Sequence, residues 1–221
     1  MGIQLVYKDI FGNKITLQQA QQLGAEYRQE QHVDGVLKRI DDYSANGIVA
    51  SGTYYLSENE DLQDFLIRVK DLWSDALIYT NSVTDGLYTI KDWQIYVGLD
   101  KVQQGQAVYD HLGREIANQE TDIDTTQILD TTKIYYLTQF GNYNNVADIQ
   151  DFGTFQFDYN FPGLSDGEIG VVINLAGYNT KLHIISETKN VLLDSSIAAI
   201  FSWENETYYH SATPLIPATT V

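Results

Sequence analysis

The chain has no cysteine, one methionine and three prolines in 221 residues. Without cysteine there is no disulfide framework, no thiolate chemistry and no cysteine-ligated zinc. Positive charge is also scarce: 13 Lys and Arg stand against 30 Asp and Glu, a net charge of −17. The deficit is even along the chain, with 12 acids against 7 bases in residues 1–75, 10 against 4 in 76–150 and 8 against 2 in 151–221. Neutralising phosphates takes Lys and Arg, and residues 151–221 offer only Lys181 and Lys189, so neither nucleic acid nor an anionic membrane is an expected partner. No apolar run approaches the roughly 18 residues of a membrane-spanning helix. Lys8 and Asp9 interrupt the region that a signal peptide would keep apolar. The expected setting is therefore cytoplasm or virion, with no signal peptide or transmembrane segment.

Apolar residues make up 43% of the chain, enough for a core, and 16 tyrosines with 8 phenylalanines make that core aromatic. The most legible stretch runs from Glu26 to Trp73. Asp34-Gly35 and Asn46-Gly47 are hairpin signals, since positive φ at the turn matches the twist of the flanking strands. They predict a three-stranded meander whose second and third strands are Val36–Tyr43 and Ile48–Leu56. Ser57 and Glu60 form a capping-box pattern. Behind it Leu62, Phe65, Leu66, Val69, Leu72 and Trp73 recur at helical spacing, with only Ile67 off the stripe. This predicts an amphipathic helix packed on the meander.

Elsewhere, Thr16 and Gln19 form a second capping box before a short helix that Gly24 ends. Asp85-Gly86 and Asp110–Gly113 signal further hairpins. Val6–Ile15 and Val108–Ile116 share a tyrosine, aspartate, glycine, isoleucine pattern that resembles the hairpins of YD-type and MORN-type repeats. Two copies a hundred residues apart do not make a repeat array, and no function follows from them. Residues 117–132 are polar and read as a linker or long loop. Beyond them Lys133–Gln139, the alternating Phe155, Phe157 and Tyr159, Glu168–Leu175 and Lys181–Ser186 read as strands. Phe140–Asn145, Phe161–Gly167 and Gly177–Asn179 read as turns. Val191–Leu193 and Ile197–Trp203 are apolar runs, the latter equally compatible with strand and helix, and Tyr208–His210 is a last candidate strand. The predicted fold class is α+β, mostly antiparallel β. Its predicted domains are a meander-plus-helix domain over 1–116, a linker over 117–132, and an antiparallel sheet or sandwich over 133–221 ending in an extended tail. Whether 1–116 and 133–221 share one core is left open by the pattern.

Chemistry-bearing motifs fail on context. Asp122-Ile123-Asp124-Thr125-Thr126 matches the Asp-x-Asp-x-Thr of haloacid-dehalogenase-like phosphotransferases, but no buried hydrophobic strand precedes it. The same loop lacks the central glycine and terminal glutamate of an EF-hand. His32, His111, His183 and His210 have no metal-ligand spacing. Gly-x-Ser-x-Gly and the phosphate-binding Gly-rich loop are missing. No catalytic, cofactor-binding or metal residue is therefore assigned, and no cofactor is expected. The doublets Tyr54-Tyr55, Tyr135-Tyr136 and Tyr208-Tyr209 would each turn one ring outward if they lie in strands. With Pro214 and Ile216 of the tail, they are the candidate interface residues. The expected function is that of a non-enzymatic structural or assembly protein, such as an accessory subunit of a phage head or tail, with other protein subunits as partners in an oligomer. The alternatives are a glycan-binding β module using Trp93, Trp203 or tyrosines, and an acidic inhibitor or immunity-type protein.

Overall fold

The computed structural model describes residues 2–22, 24–139, 150–160, 164–165, 167–175, 181–186 and 201–218. The expected turns at 140–145 and 177–179 and the run at 191–193 lie outside these residues, as do most of 161–167 and of 197–203. The protein is mostly β: thirteen strands, two short α-helices and one 3-10 turn are found among the described residues. The chain divides into two compact units, Met1–Ser82 with Lys91–Gln104, and Val83–Ile90 with Gly105–Val221.

The first unit contains β1 (Ile3–Asp9), β2 (Lys14–Ile15), α1 (Leu17–Gln22), β3 (Tyr27–Val33), β4 (Val36–Tyr43), β5 (Val49–Tyr55) and α2 (Leu62–Val69). It also takes most of β6 (Ala76–Asp85) and β7 (Tyr88–Val97) and the first half of β8 (Asp100–Tyr109). The sheet is mixed: β2, β1, β3, β4 and β5 are antiparallel neighbours, whereas β5 and β6 pair in parallel across α2. The meander forms as its turns predict, and Asp34 and Gly35 both take positive φ, 49° and 84°. The Thr16–Gln19 capping box is reciprocal: Gln19 N donates to Thr16 Oγ1 at 3.1 Å and Thr16 N donates to Gln19 Oε1 at 2.8 Å.

Helix α2 starts one turn later than Ser57 and Glu60 suggest. Asp61 is its N-cap, with a carboxylate that accepts from Asp64 N at 2.9 Å. Only half of the Ser57 box survives, Ser57 N donating to Glu60 Oε2 at 2.7 Å, because Lys38 claims the Ser57 hydroxyl. The helix buries Phe65, Leu66 and Val69, followed by Trp73, against Tyr54, Ala76, Ile78 and Tyr96. Each such side chain contributes about 1.5–3 kcal/mol on leaving water. Leu72 falls past the end of the helix and is exposed, as is Ile67. Gly52 lies under the Trp73 indole, where a Cβ would meet ring carbons at 2.0–2.4 Å.

The second unit is built on β9 (Glu115–Thr121), β10 (Ile128–Gln139), β11 (Gln150–Asp158), β12 (Glu168–Leu175) and β13 (Lys181–Ser186), neighbours in that order and all antiparallel. The stretch expected as a linker, 117–132, is thus the hairpin of β9 and β10. Its polar residues satisfy one another across the ladder, as where Gln119 Nε2 donates to its direct partner Thr131 Oγ1 at 3.0 Å. Leu137, Phe155, Phe157, Ile169, Val171 and Ile173 form the core with Phe201 and Tyr209 of the C-terminal segment. That segment, not a second sheet, covers these strands among the described residues. Its Thr207–His210 part is a 3-10 turn where a strand was expected. Tyr209 enters the core from this turn, and Tyr159 Oη donates to Tyr209 O at 2.9 Å.

Candidate functional site

With α2 on one face of the first unit's sheet, the opposite face of β1, β3, β4 and β5 carries the polar partners. Strand register places Lys14, Lys8, Arg28, Asp42 and Ser51 in one unbroken cross-strand row over β2, β1, β3, β4 and β5. Glu30 and Ile40 belong to the next row. Lys8 Nζ donates to Glu30 Oε1 at 2.6 Å, and His32 Nε2 is 3.1 Å from Glu30 Oε2. Arg28 Nε donates to Asp42 Oδ1 at 2.8 Å. Burial alone would raise the Glu30 pKa, but the bonds from Lys8 and His32 outweigh it and hold the carboxyl below its usual range.

Of these, Lys8, Arg28, Glu30, Asp42 and Ser51 line a cleft of about 620 Å³, with Asp9, Glu26, the β1–β2 turn Ile10-Phe11-Gly12, and Tyr43 and Ser44 of β4 and its turn around it. Asp9 shapes that turn. Its Oδ2 accepts from Asn13 Nδ2 at 2.9 Å, the bond that most lowers its pKa, and its Oδ1 accepts from Asn13 N at 2.8 Å and Phe11 N at 2.9 Å, which lower it further. Asp110 holds the Asp110–Gly113 turn in the same way, through Leu112 N and Arg114 N, both at 2.9 Å. The two turns alike in sequence are therefore alike in hydrogen bonding. Phe11 is 81% exposed and Ile10 64%. An aromatic ring is thus left standing at the rim of a charged cleft.

A second polar cluster lies at the foot of α2. Glu60 accepts from Lys38 Nζ, from Tyr54 Oη at 2.6 Å and from Ser57 N at 2.7 Å, while Lys38 Nζ also donates to Ser57 Oγ at 2.5 Å. Burial would raise the Glu60 pKa; the three donors hold it at about 2. The nearness of Ser57 and Lys38 is not nucleophile activation, because the ammonium donates into the hydroxyl and Glu60 stays ionised beside it. The cluster joins β4, β5 and the entry to α2. Glu60 stabilises the fold fully above the ordinary carboxylate range and loses that contribution as pH falls towards 2. E60Q is expected to destabilise the protein by about 1–2 kcal/mol at neutral pH and to flatten the acid limb. Urea titrations at pH 7, 4 and 2.5 measure both effects.

The residues singled out in the sequence take varied places. None of the six doublet tyrosines is exposed. Tyr54 stacks on Phe65 at 3.8 Å and Tyr55 on Tyr79 at 5.0 Å. Tyr135 contacts Phe201 edge-on at 4.9 Å, Tyr136 Oη donates to Glu115 O at 2.9 Å, and Tyr208 Oη donates to Leu215 O. Pro214 is exposed, but Ile216 packs with Leu215 on Val108, Ile116 and Ala117 of the second unit, so this tail lies along its own chain. Trp93 is buried, and Trp203 stacks on His210 at 4.2 Å, so neither offers a bare aromatic platform. Asp122 is occupied by Asp124 N, Thr125 N and Thr125 Oγ1, the bonds of an exposed turn. Among the described residues no group of three or more His, Cys, Asp or Glu is placed to hold a metal ion. The side chain of His183 lies outside the described residues. Among them, too, no helix is long and apolar enough to cross a membrane.

Comparison with protein-family models, with curated proteins and with solved structures finds no match.

Proposed function

We propose that this chain is a structural or assembly protein that acts through contacts with other protein chains, the first of them a second copy of itself. The observation that carries the reading is the outer edge of β1. On one side β1 pairs with β3 over Ile3–Asp9, but on the other it meets β2 only at Tyr7 and Lys8. The outer edge of Ile3–Val6 is therefore open among the described residues. Ile3 is 66% exposed and Leu5 48%, and Val36, two strands in, is 68% exposed. An open edge with apolar side chains is a template for another strand. Two antiparallel β1 edges related by a two-fold axis satisfy each other with the same residues. An accessory position in a phage head or tail is one setting for such a subunit.

Light scattering coupled to size-exclusion chromatography tests this. The wild-type chain is expected to elute as a dimer. L5K puts a charge on the exposed edge without touching the core, and is expected to give a monomer of unchanged thermal stability. A wild-type monomer at about 100 μM, a concentration at which a micromolar dimer is nearly full, would remove the reading.

A further inference from the structure

The register in which two copies meet at the β1 edge follows from the direction of its free backbone groups. In an antiparallel ladder a residue turns its N–H and C=O towards the same neighbour, and successive residues alternate sides. Gly2 O, just before β1, accepts from Asp34 N at 3.0 Å on the β3 side, whereas Asp9 N donates to Asn13 O at 3.0 Å on the β2 side. Even-numbered residues of β1 therefore turn to β3, and odd-numbered ones turn outward. Tyr7 is taken by its pairing with Ile15. The open edge thus offers the N–H and C=O of Ile3 and of Leu5. Direct cross-strand partners put Leu5 in line with Gln31, Arg39 and Tyr54, so the side chains of Leu5 and Ile3 lie on the face that carries α2.

We infer that two copies pair with Gln4 on the two-fold axis and Ile3 of each directly opposite Leu5 of the other, an arrangement that rests on the β1 contact proposed above. A two-fold perpendicular to the sheet keeps both α2-bearing faces on one side, so residues opposite each other are both odd or both even. Centred on Gln4, Gly2–Val6 of one copy runs against Val6–Gly2 of the other. Each Ile3–Leu5 pair then exchanges both hydrogen bonds, and every outward group is satisfied. Centred on Leu5, the register would put Ile3 opposite Tyr7, where β2 already sits. Centred on Ile3, it would carry Leu5 past Gly2, the first described residue of the other copy. The Gln4 register also sets the exposed Ile3 side chain against Leu5, apolar on apolar, and no charged residue lies within Gly2–Val6 to oppose its like. On the other face the two Gln4 amides meet, each able to donate to and accept from its mate. The sheet becomes continuous through both copies, with the α2 helices on one side and both charged clefts displayed together on the other.

A chain without cysteine makes this register directly testable by single thiols. Residues on the axis face their own copies within disulfide reach, whereas Ile3 and Leu5 meet their own copies only diagonally, beyond it. Under mild oxidation with oxidised glutathione, Q4C is expected to form a disulfide-linked dimer. It should do so roughly tenfold faster than the exposed helix variant I67C, which cross-links only by collision, because thiols held in a dimer meet at a millimolar effective concentration. I3C and L5C alone are expected to be as slow as I67C, while an equal mixture of the two should cross-link fast. Thermal midpoints close to wild type confirm that each variant is folded. Fast cross-linking of L5C alone would place Leu5 on the axis, and of I3C alone Ile3; either result, or a slow Q4C in a protein that light scattering shows to be a dimer, would overturn the register and leave the self-association standing. A wild-type monomer at about 100 μM, where a micromolar dimer is nearly full, would remove both.

Discussion

Gly52→Ala is expected to be among the most destabilising single changes available in the first unit. Adding one methyl group is usually mild, and overpacking a core costs about 1–3 kcal/mol. Here the new Cβ would fall 2.0 Å from Trp73 Cε2 and 2.2 Å from Cζ2, inside the indole itself. The ring cannot tilt away freely. Its Nε1 donates to the buried Asp41 Oδ1 at 2.7 Å, its face carries the Arg39 guanidinium at 4.9 Å, and its edge packs on Phe65 at 5.7 Å. Moving it breaks all three, and Asp41 would lose a buried partner that Arg39 alone must replace. A loss of about 3–5 kcal/mol is the expected result, the range reserved for overpacking joined to a broken buried network. Denaturant unfolding followed by tryptophan fluorescence measures it. In a W73L background, where the indole is gone, G52A is expected to cost clearly less than it does in the wild-type chain, because the clash is with that ring. If G52A alone shifted stability by less than about 1 kcal/mol, as a surface change does, the indole would not be seated on this glycine.

That contact also shows where the sequence is legible. Trp73 is marked as a core residue by its spacing from Phe65, Leu66 and Val69, a local property of the helix. Its seat is a glycine in β5 that has no sequence signal of its own, because the reason for it comes from another element. The same division holds elsewhere. Strand limits such as Glu168–Leu175 and Lys181–Ser186 follow from apolar runs between turn residues, and the structure has them at those positions. The polar 117–132 stretch misleads because cross-strand hydrogen bonds can satisfy Gln119 and Thr131 as well as water can. Tyr208-Tyr209 suits a strand by propensity, yet its neighbours turn it into a 3-10 turn that plugs the core. The charged row of the candidate site is similarly hidden. Lys8, Lys14 and Arg28 are scattered until the register of β2, β1 and β3 aligns them.

Lys133→Met is expected to loosen the C-terminal segment, and to reveal a pH dependence opposite to that of an ordinary salt bridge. Lys133 is fully buried on β10, directly opposite Phe157 of β11. Its Nζ donates to Tyr208 O at 2.8 Å and Ser211 O at 2.7 Å, 3.9 Å from the centre of the Tyr208 ring and 5.6 Å from that of Tyr159. No carboxylate makes a salt bridge with it among the described residues. Burial accordingly brings its pKa down to about 8. The two carbonyls belong to the turn that carries Tyr209 into the core, so this one side chain ties residues 207–211 to the sheet. Methionine fills the same volume but donates nothing, and the orphaned carbonyls give an expected loss of about 2–3 kcal/mol. Proteolysis should then cut near the C-terminus sooner than in wild type. Below pH 8 the folded protein bears the whole cost of burying a cation. Between about 8 and the unfolded value near 10.4 the folded state sheds that proton first, so the unfolded state binds more protons and stability rises with pH. Burial keeps Tyr159, Tyr208 and Tyr209 well above the usual phenol range, so their folded forms stay neutral through that window. The stability gap between wild type and K133M is therefore expected to widen from pH 7.5 to 9.5 in paired urea titrations. A gap that narrowed over the same interval would mean that the lysine stabilises the fold as a cation, and the latch would then be electrostatic, not a set of directed hydrogen bonds.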